Sequence, residues 1–510
     1  MIMNKPGKFS LLILIVISQM IFFADISAQE IRTLTYEDAI AIALEKSYTV
    51  KSFEANLQAM EHYFDFHKAT FKPRIDLSMF APTLDERVAP IQRPDGLPVY
   101  NSTGLSRVGS DLRFTYILPS GGNFALASQF YRENLKTVLA LDNYRELKTE
   151  QAYSSVSLSF DQPIFTKNTL RENLDEARYL YERSSSQFTR GQMDIIYSVS
   201  QGFYSLYRAT RELEIALEKL TNSEEAYRIA KLKNESGRIP EGDVLIAEVE
   251  VGQNKAALLE NEGNLEREKD DFKQLIGLDQ DDLITILTDL KYETFEIDQN
   301  KAIEEAQKSR FEIYESELNI KLQEISVDRA ERTREFKGEI SAYYDITGVS
   351  TTGTGSSRDL FESSFDNFVD RPPNRGVKMT FSYPVFDWGR GKSKVQQETV
   401  TLKEKNLSLE NTKRTIIKGV KDTVRRVNEA SSRLEIHEKN QTVAQRSYEI
   451  SSLRFENGDI TSQELGREQE RLAETQLQYL NAFITYQLSV NDLKRKTLWD
   501  FKYNRSYLIQ

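Results

Sequence analysis

The sequence predicts a mainly α-helical protein with long coiled-coil helices, attached to a membrane β-barrel that a single chain cannot close. Three observations carry this expectation: a duplication without insertions, two helical runs of unusual length, and alternating strands at the ends of those runs. The duplication is the sharpest of the three. Val156-Ser157-Leu158-Ser159-Phe160-Asp161-Gln162-Pro163-Ile164-Phe165 returns as Val377-Lys378-Met379-Thr380-Phe381-Ser382-Tyr383-Pro384-Val385-Phe386. One constant spacing separates Pro163 from Pro384, Gly237 from Gly458 and Asp271 from Asp492. Surface loops change length cheaply, whereas a long helix or a membrane strand cannot gain a residue without turning its apolar face, so a strict register points to length-critical elements. The repeats are expected over 29–290 and 291–510, each reading as helix, strands, long helix and return helix.

Ahead of the first repeat, Lys5 and Lys8 precede an apolar stretch over 11–24, and Ile26-Ser27-Ala28 supplies small residues before Gln29. This is the pattern of a secretory signal, expected over 1–28. Beyond it no run of 18 or more apolar residues occurs, so no transmembrane helix is expected, and only a β-barrel or a lipid could hold the mature chain in a membrane. Cysteine is absent, which excludes an N-terminal lipidated Cys, disulfides and thiol chemistry. Lys and Arg number 67 against 78 Asp and Glu, a net charge of −11 without a basic cluster, which argues against nucleic acid as a partner.

The helical runs cover 167 to about 234 and 392 to about 456 with almost no Gly or Pro. Val199, Phe203, Leu206, Thr210, Leu213, Leu217 and Leu220 step by threes and fours, as do Ile417, Val420, Val424, Val427, Ser431 and Leu434, so each run carries a coiled-coil stripe. A run of ~69 residues is ~100 Å long. The return path is made of shorter helices, 241–276 and 300–335 in the first case, 462–498 and 36–69 in the second. Each pair matches one long run if its members stack end to end.

Strands follow. Ile75, Leu77, Met79 and Ala81 alternate with Arg74, Asp76, Ser78 and Phe80, and 339–346 places Ile340, Ala342, Tyr344 and Ile346 on one side. The echoed segments alternate likewise, with Val156, Leu158 and Phe160 or Val377, Met379, Phe381 and Tyr383 on one face and mostly polar residues on the other. The pattern alone also fits an antiparallel sheet on a soluble core. The export signal and the absent transmembrane helix favour the membrane. Four strands cannot close, and a lipid-exposed edge is not viable, so several chains must complete the barrel.

At this point the chain resembles the TolC-like outer-membrane efflux family. The residues concerned are Leu34-Thr35-Tyr36-Glu37-Asp38-Ala39-Ile40, the strand ends Gln162-Pro163-Ile164-Phe165 and Tyr383-Pro384-Val385-Phe386-Asp387-Trp388-Gly389, and the turns at Gly237 and Gly458. The resemblance implies a homotrimer with a 12-stranded barrel, four strands per protomer, and a helical periplasmic tunnel. It implies the outer membrane of a Gram-negative bacterium, contact with its lipid, and the role of passive exit duct in a tripartite efflux or secretion system. A periplasmic adaptor (membrane fusion protein) and an inner-membrane pump would be the partners. The chain departs from the family in an extra alternating hairpin, 111–118 and 123–132, joined by Pro119-Ser120-Gly121-Gly122. If both its strands cross the membrane, a chain supplies six strands and a trimer eighteen; an outer or folded-over hairpin leaves twelve.

Chemistry is not expected. Gly389-Arg390-Gly391-Lys392-Ser393 follows a strand and opens a helix, but the first Gly of a phosphate loop falls on Phe386, so the segment reads as an elbow. His62 and His67 lie five apart and His437 stands alone, poor geometry for a metal. No nucleophile, base and acid set is recognisable, and no cofactor or catalytic residue is expected. The functional constellation is the pair of turns that begin at Gly237 and Gly458. Gly supplies a left-handed helix cap, and Pro240 or Thr461 starts the next helix. By resemblance Asp243 and Glu464 match the family's constriction carboxylates, a further acidic pore position falls on Arg467, and the gating arginine falls on Ile460. Read from position alone, Asp243 and Glu464 serve equally as first-turn acids that stabilise a helix N-terminus. The rival reading of the whole chain is a soluble exported coiled-coil or adhesin-like protein.

Overall fold

The structure is a computed structural model that describes residues 32–287, 292–350 and 356–507. The expected signal over 1–28 lies outside these residues. Strand β1 (Arg32–Leu34) leads into helices α1 (Tyr36–Lys46) and α2 (Tyr48–Ala69), and four strands follow, β2 (Arg74–Gln92), β3 (Pro98–Ile117), β4 (Asn123–Leu139) and β5 (Arg145–Ile164). Next come the long helix α3 (Thr169–Glu235), its return helix α4 (Glu241–Ile276), β6 (Ile284–Ile286), α5 (Gln299–Ser309) and α6 (Phe311–Glu331). The rest is β7 (Lys337–Val349), α7 (Ser357–Asp370), β8 (Asn374–Ser382), the second long helix α8 (Arg390–Asn457), α9 (Ser462–Thr497), and the short pair β9 (Trp499–Asp500) and β10 (Arg505–Ser506).

The duplication is visible in lengths. α3 and α8 hold 67 and 68 residues, α4 and α9 hold 36 each. The runs expected to be continuous over 36–69 and 300–335 are each broken once, after a helix of 11 residues, at Ser47 and Arg310. One extended residue does this in both places (ψ 132° at Ser47, ψ 123° at Arg310), and helical bonding resumes when the Lys51 N–H donates to the Ser47 carbonyl at 3.1 Å. Neither break has a Gly or Pro to announce it. Helix starts are capped by side chains: Thr35 with Asp38, Ser356 with Asp359 and Thr461 with Glu464 form reciprocal boxes, and Asp298 accepts from Asn300 and Lys301. α4 ends at Gly277, with φ 80°, where a Cβ would lie 2.6 Å from the Lys46 carbonyl oxygen, so close backbone approach requires glycine there.

The chain forms two compact units, and each draws on both halves of the sequence. One comprises Met1–Ala55, Gln187–Ile313 and Thr412–Gln510. Its core joins Val199, Phe203 and Leu206 of α3 to Phe272 and Ile276 of α4, Val420, Val424, Val427 and Leu434 of α8, and Leu480, Phe483, Ile484 and Leu493 of α9. The expected stripes are thus the buried faces, with one departure. Leu217 is 54 % exposed, and Ala216 is buried in its place before Leu220 resumes the stripe. β1 pairs parallel with β6, Leu34 opposite Ile286, and seats Leu34 in this core.

The other unit comprises Asn56–Ser186 and Tyr314–Asn411 and is built on one antiparallel sheet in the order β2-β3-β4-β5-β7-β8. It holds six strands: the four expected, and the hairpin 111–132, which enters as parts of β3 and β4. The strands also run further than expected, to Gln92 in β2 and Leu139 in β4. The link between β7 and β8, long and polar in sequence, contains α7. That helix packs on β5 and β7 through Leu360 and Ser364, and the Ser364 hydroxyl donates to the Gly348 carbonyl at 3.0 Å.

Cross-strand partners lie on the same face of a sheet, so the register assigns faces directly. Ile75, Phe114, Leu126, Leu158 and Tyr344 form one row, ending at Arg375. Tyr116, Phe124, Phe160, Ala342 and Val377 form another, and Leu77, Leu112, Ser128, Val156 and Ile346 a third. On the opposite face the rows read Arg74, Thr115, Ala125, Ser159, Tyr343, Gly376 and Asp76, Arg113, Ala127, Ser157, Asp345, Asn374. One face is apolar across all six strands and the other is mostly polar. The apolar face is bare within one copy, with Met79 75 % and Val377 71 % exposed. A soluble sheet hides such a face.

Candidate functional site

The two helical turns repeat one geometry. At the first, Gly237 has φ 74°, its N–H donates to the Asn234 carbonyl at 2.8 Å, and the Arg238 N–H donates to the Lys233 carbonyl at 2.8 Å. At the second, Gly458 has φ 90°, its N–H donates to the Phe455 carbonyl at 3.0 Å, and the Asp459 N–H donates to the Arg454 carbonyl at 2.9 Å. Both satisfy the last carbonyls of a long helix while reversing the chain, which is why glycine stands at both places.

The turns lie side by side, joined by a small apolar cluster. Phe455 and Leu465 of one hairpin pack with Ala230 and Ala247 of the other, flanked by Ile239 and Ile460. Ile460 is an apolar filler of this cluster. Lys233 clamps the pair: its Nζ donates to the Phe455 carbonyl and lies 4.3 Å from the centre of the Phe455 ring. Burial holds its ammonium below the usual lysine value, with the Arg238 charge acting in the same direction. Sequence reasoning missed Lys233. Its counterpart Arg454 preserves the charge at the matching position, and that was the available signal.

Asp243 and Glu464 occupy matching third positions of α4 and α9, yet their surroundings differ. The Glu464 carboxylate accepts from the Thr461 N–H at 2.8 Å and from the Thr461 hydroxyl at 3.1 Å, while the Thr461 hydroxyl accepts from the Glu464 N–H at 3.3 Å. These bonds hold the Glu464 carboxyl below its ordinary value, the Thr461 backbone N–H first and then its hydroxyl. The cap contribution is thus complete above the ordinary glutamate value and lost as pH falls through the depressed folded one. At the first turn the cap residue is Pro240, which has neither N–H nor hydroxyl, so no reciprocal box forms. Among the described residues the Asp243 carboxylate has no hydrogen-bond or ion-pair partner within one copy, and the residue is half-buried. The helix-start role thus describes Glu464 better than Asp243.

Arg467 is exposed, on the groove between α4 and α9 with Leu245, Ile246 and Val249. Gly466 opens this groove: a Cβ there would lie 2.9 Å from the Glu250 carboxylate. Burial pushes the Glu250 carboxyl up, and the Lys219 ammonium opposes the shift.

The elbow at 389–393 is closed to a phosphate. The Asp387 carboxylate accepts from the Gly389 N–H at 2.9 Å and the Gly391 N–H at 2.7 Å, the donors such an anion would need. His67 packs edge-on against Tyr63. Among the described residues no group of three His, Cys, Asp or Glu is placed to hold a metal.

Comparison with known proteins agrees with this architecture. The sequence model of a family described as outer membrane efflux protein matches residues 126–278 and 302–497. No curated protein matches the sequence. Among solved structures, a membrane protein from Pseudomonas aeruginosa aligns with TM-score 0.65 at 13 % identity, over 93 % of this chain and 92 % of that one. The Campylobacter jejuni CmeC outer membrane channel aligns with TM-score 0.62 at 14 % identity, over 91 % and 85 %. The outer membrane protein VceC of Vibrio cholerae aligns with TM-score 0.62 at 13 % identity, over 91 % and 95 %. At such identities the likeness is one of fold.

Proposed function

We propose, from the premise that this chain belongs to the outer membrane efflux protein family, that three copies form the passive exit duct of a tripartite export system. A periplasmic adaptor and an inner-membrane pump would complete that system. The chain is an outer-membrane channel protein with a helical tunnel and a β-barrel. The observation that carries the finer reading is the sheet with two open edges and one bare apolar face. In lipid each unpaired edge leaves a row of N–H and C=O groups without partners, so the wall has to be finished by other copies. Cargo passes without covalent chemistry.

The turns at Gly237 and Gly458 are the natural meeting point for an adaptor, being exposed helical ends. The chain has no native cysteine, so Arg238→Cys or Asp459→Cys places a single thiol there. Cross-linking in intact cells with a short bifunctional reagent should trap a periplasmic adaptor, identified by mass. Products containing only further copies of this chain, in cells that also hold the adaptor and pump, would contradict the tripartite reading.

Asp243 is the better candidate for the constriction carboxylate, because Glu464 is held in its helix cap. A ring of three Asp243 carboxylates at a narrow mouth favours cations, since low-dielectric walls strengthen their field. Asp243→Asn should lower the cation preference of trimers in planar bilayers at low salt, and Glu464→Gln should change it much less. Adding Glu464→Gln to Asp243→Asn should change little more. An unaltered selectivity ratio in the double variant would remove both residues from the permeation path.

A further inference from the structure

The hairpin made by β3 and β4 is bonded into the middle of the sheet. β3 pairs with β2 from Arg74↔Thr115 to Gln92↔Pro98, and with β4 from Ile117↔Asn123 to Ser102↔Val138. β4 pairs with β5 without interruption from Asn123↔Asp161 to Leu139↔Arg145. Among the described residues β2 pairs with no strand but β3, so lifting the hairpin out would cut the sheet in two. A folded-over hairpin does not have this topology.

The faces agree. Leu112, Phe114 and Tyr116 of β3 and Phe124 and Leu126 of β4 lie on the side that carries Leu158, Phe160 and Val377, while Asp111, Arg113 and Gln129 lie with Ser155, Ser157 and Asp345. A one-residue slip would have reversed this. On the polar side Phe80, Tyr131 and Tyr153 approach one another across Gly109, with ring centres 6.5 Å and 4.5 Å apart, and a Cβ at Gly109 would lie 2.4 Å from the Tyr131 Cβ. Arg107 covers the Tyr131 ring at 4.5 Å.

The turn of the hairpin fixes its height. The Leu118 N–H donates to the Gly122 carbonyl at 2.8 Å, and Gly121 adopts φ 87°. The Asn168 side chain donates to the Pro119 carbonyl at 2.9 Å, and the Ser120 hydroxyl donates to the Gln162 side-chain oxygen at 2.8 Å. Gln162 and Asn168 flank the junction where β5 gives way to α3. The hairpin therefore starts from the level at which the helices meet the sheet and runs alongside β2 and β5.

We propose that β3 and β4 cross the outer membrane as part of the wall, so that each copy supplies six strands and three copies close an 18-stranded barrel in place of the 12 strands the resemblance implies. The partner of each open edge is a second copy of this chain, with β8 of one copy pairing antiparallel to β2 of the next. With strands ~4.8 Å apart and tilted by ~40°, 12 strands give a backbone diameter of ~24 Å and 18 give ~36 Å, roughly doubling the cross-section. The bore carries residues of both charge signs, among them Asp76, Arg113 and Asp345, and suits hydrated polar solutes bulkier than a 12-stranded wall admits.

This inference rests on the trimeric reading, and the test separates the two. Cryo-EM of the purified full-length protein, viewed down the barrel axis, should resolve 18 strands around a ring of roughly 36 Å. A trimer with 12 wall strands and the hairpin outside them would overturn the inference and leave the trimeric duct standing; absence of a trimer would overturn both. A second readout needs no image. In proteoliposomes, Leu112→Cys and Leu126→Cys should react with a charged, membrane-impermeant maleimide roughly tenfold or more slowly than Arg113→Cys, because lipid excludes the reagent. Equal rates on the two faces would contradict the wall placement.

Discussion

Leu158→Arg abolishes assembly or leaves only a trace of it, whereas Ser159→Arg in the same strand assembles nearly as well as the parent. Leu158 lies in the row Ile75, Phe114, Leu126, Leu158, Tyr344, near the middle of the apolar face, and its neighbour Ser159 points into the polar row with Arg74 and Thr115. An arginine at the bilayer midplane costs about 2–4 kcal/mol per site, and three copies incur it three times. Phe381→Arg tests depth. Phe381 is the second-last residue of β8, pairs with Gly338 and stacks on Phe336, so it sits at the end of the wall where the same charge costs only about 0–1 kcal/mol. Heat-resistant trimer, read on gels of unheated membranes, should fall in the order Ser159→Arg, Phe381→Arg, Leu158→Arg. Equal loss on both faces would count against the barrel assignment.

The second large effect lies in the helical unit. Phe203 is fully buried and meets Tyr36, Tyr204 and Phe272 at ring-centre distances of 5.6 Å, 5.7 Å and 6.2 Å. Phe203→Ala removes a ring that no neighbour can replace and should cost about 3–5 kcal/mol. Tyr36→Phe keeps its ring and loses only a hydroxyl that bonds the Ser200 hydroxyl at 2.5 Å and accepts from the Asn491 side chain at 3.1 Å, so it should cost only about 1–2 kcal/mol. Thermal unfolding of the detergent-solubilised variants separates the two. Similar losses would mean that the aromatic cluster is not packed as described.

The long elements were readable because they are periodic and punctuated. Gly237 and Gly458 ended the long helices where expected, and the return helices begin within a residue or two of the positions those turns set. The breaks at Ser47 and Arg310 were not readable, since one extended residue leaves the apolar rhythm intact. The outer halves of the strands were missed for a different reason. Segments such as Asp85-Glu86-Arg87 are polar on both faces, so the alternation that identifies a half-buried strand is absent there. α7 carried a usable signal, the cap box of Ser356 and Asp359 ahead of Leu360, and it was overlooked within a polar link. In the candidate site the unequal roles of Asp243 and Glu464 were implicit in Pro240 and Thr461, because only the latter can close a cap. The Lys233 contact with Phe455 joins distant parts of the chain, so its trace lay only in the charge repeated at Arg454.

In this reading several copies of the chain form one duct wall in the outer membrane. The most direct measurement separates inner and outer membranes by density and compares the outer-membrane protein on gels before and after boiling. A shared wall predicts recovery with the outer membrane and an unboiled band at the trimer mass that collapses to the monomer when boiled. Recovery as a soluble periplasmic monomer, migrating identically in both lanes, would contradict it and favour a soluble coiled-coil protein.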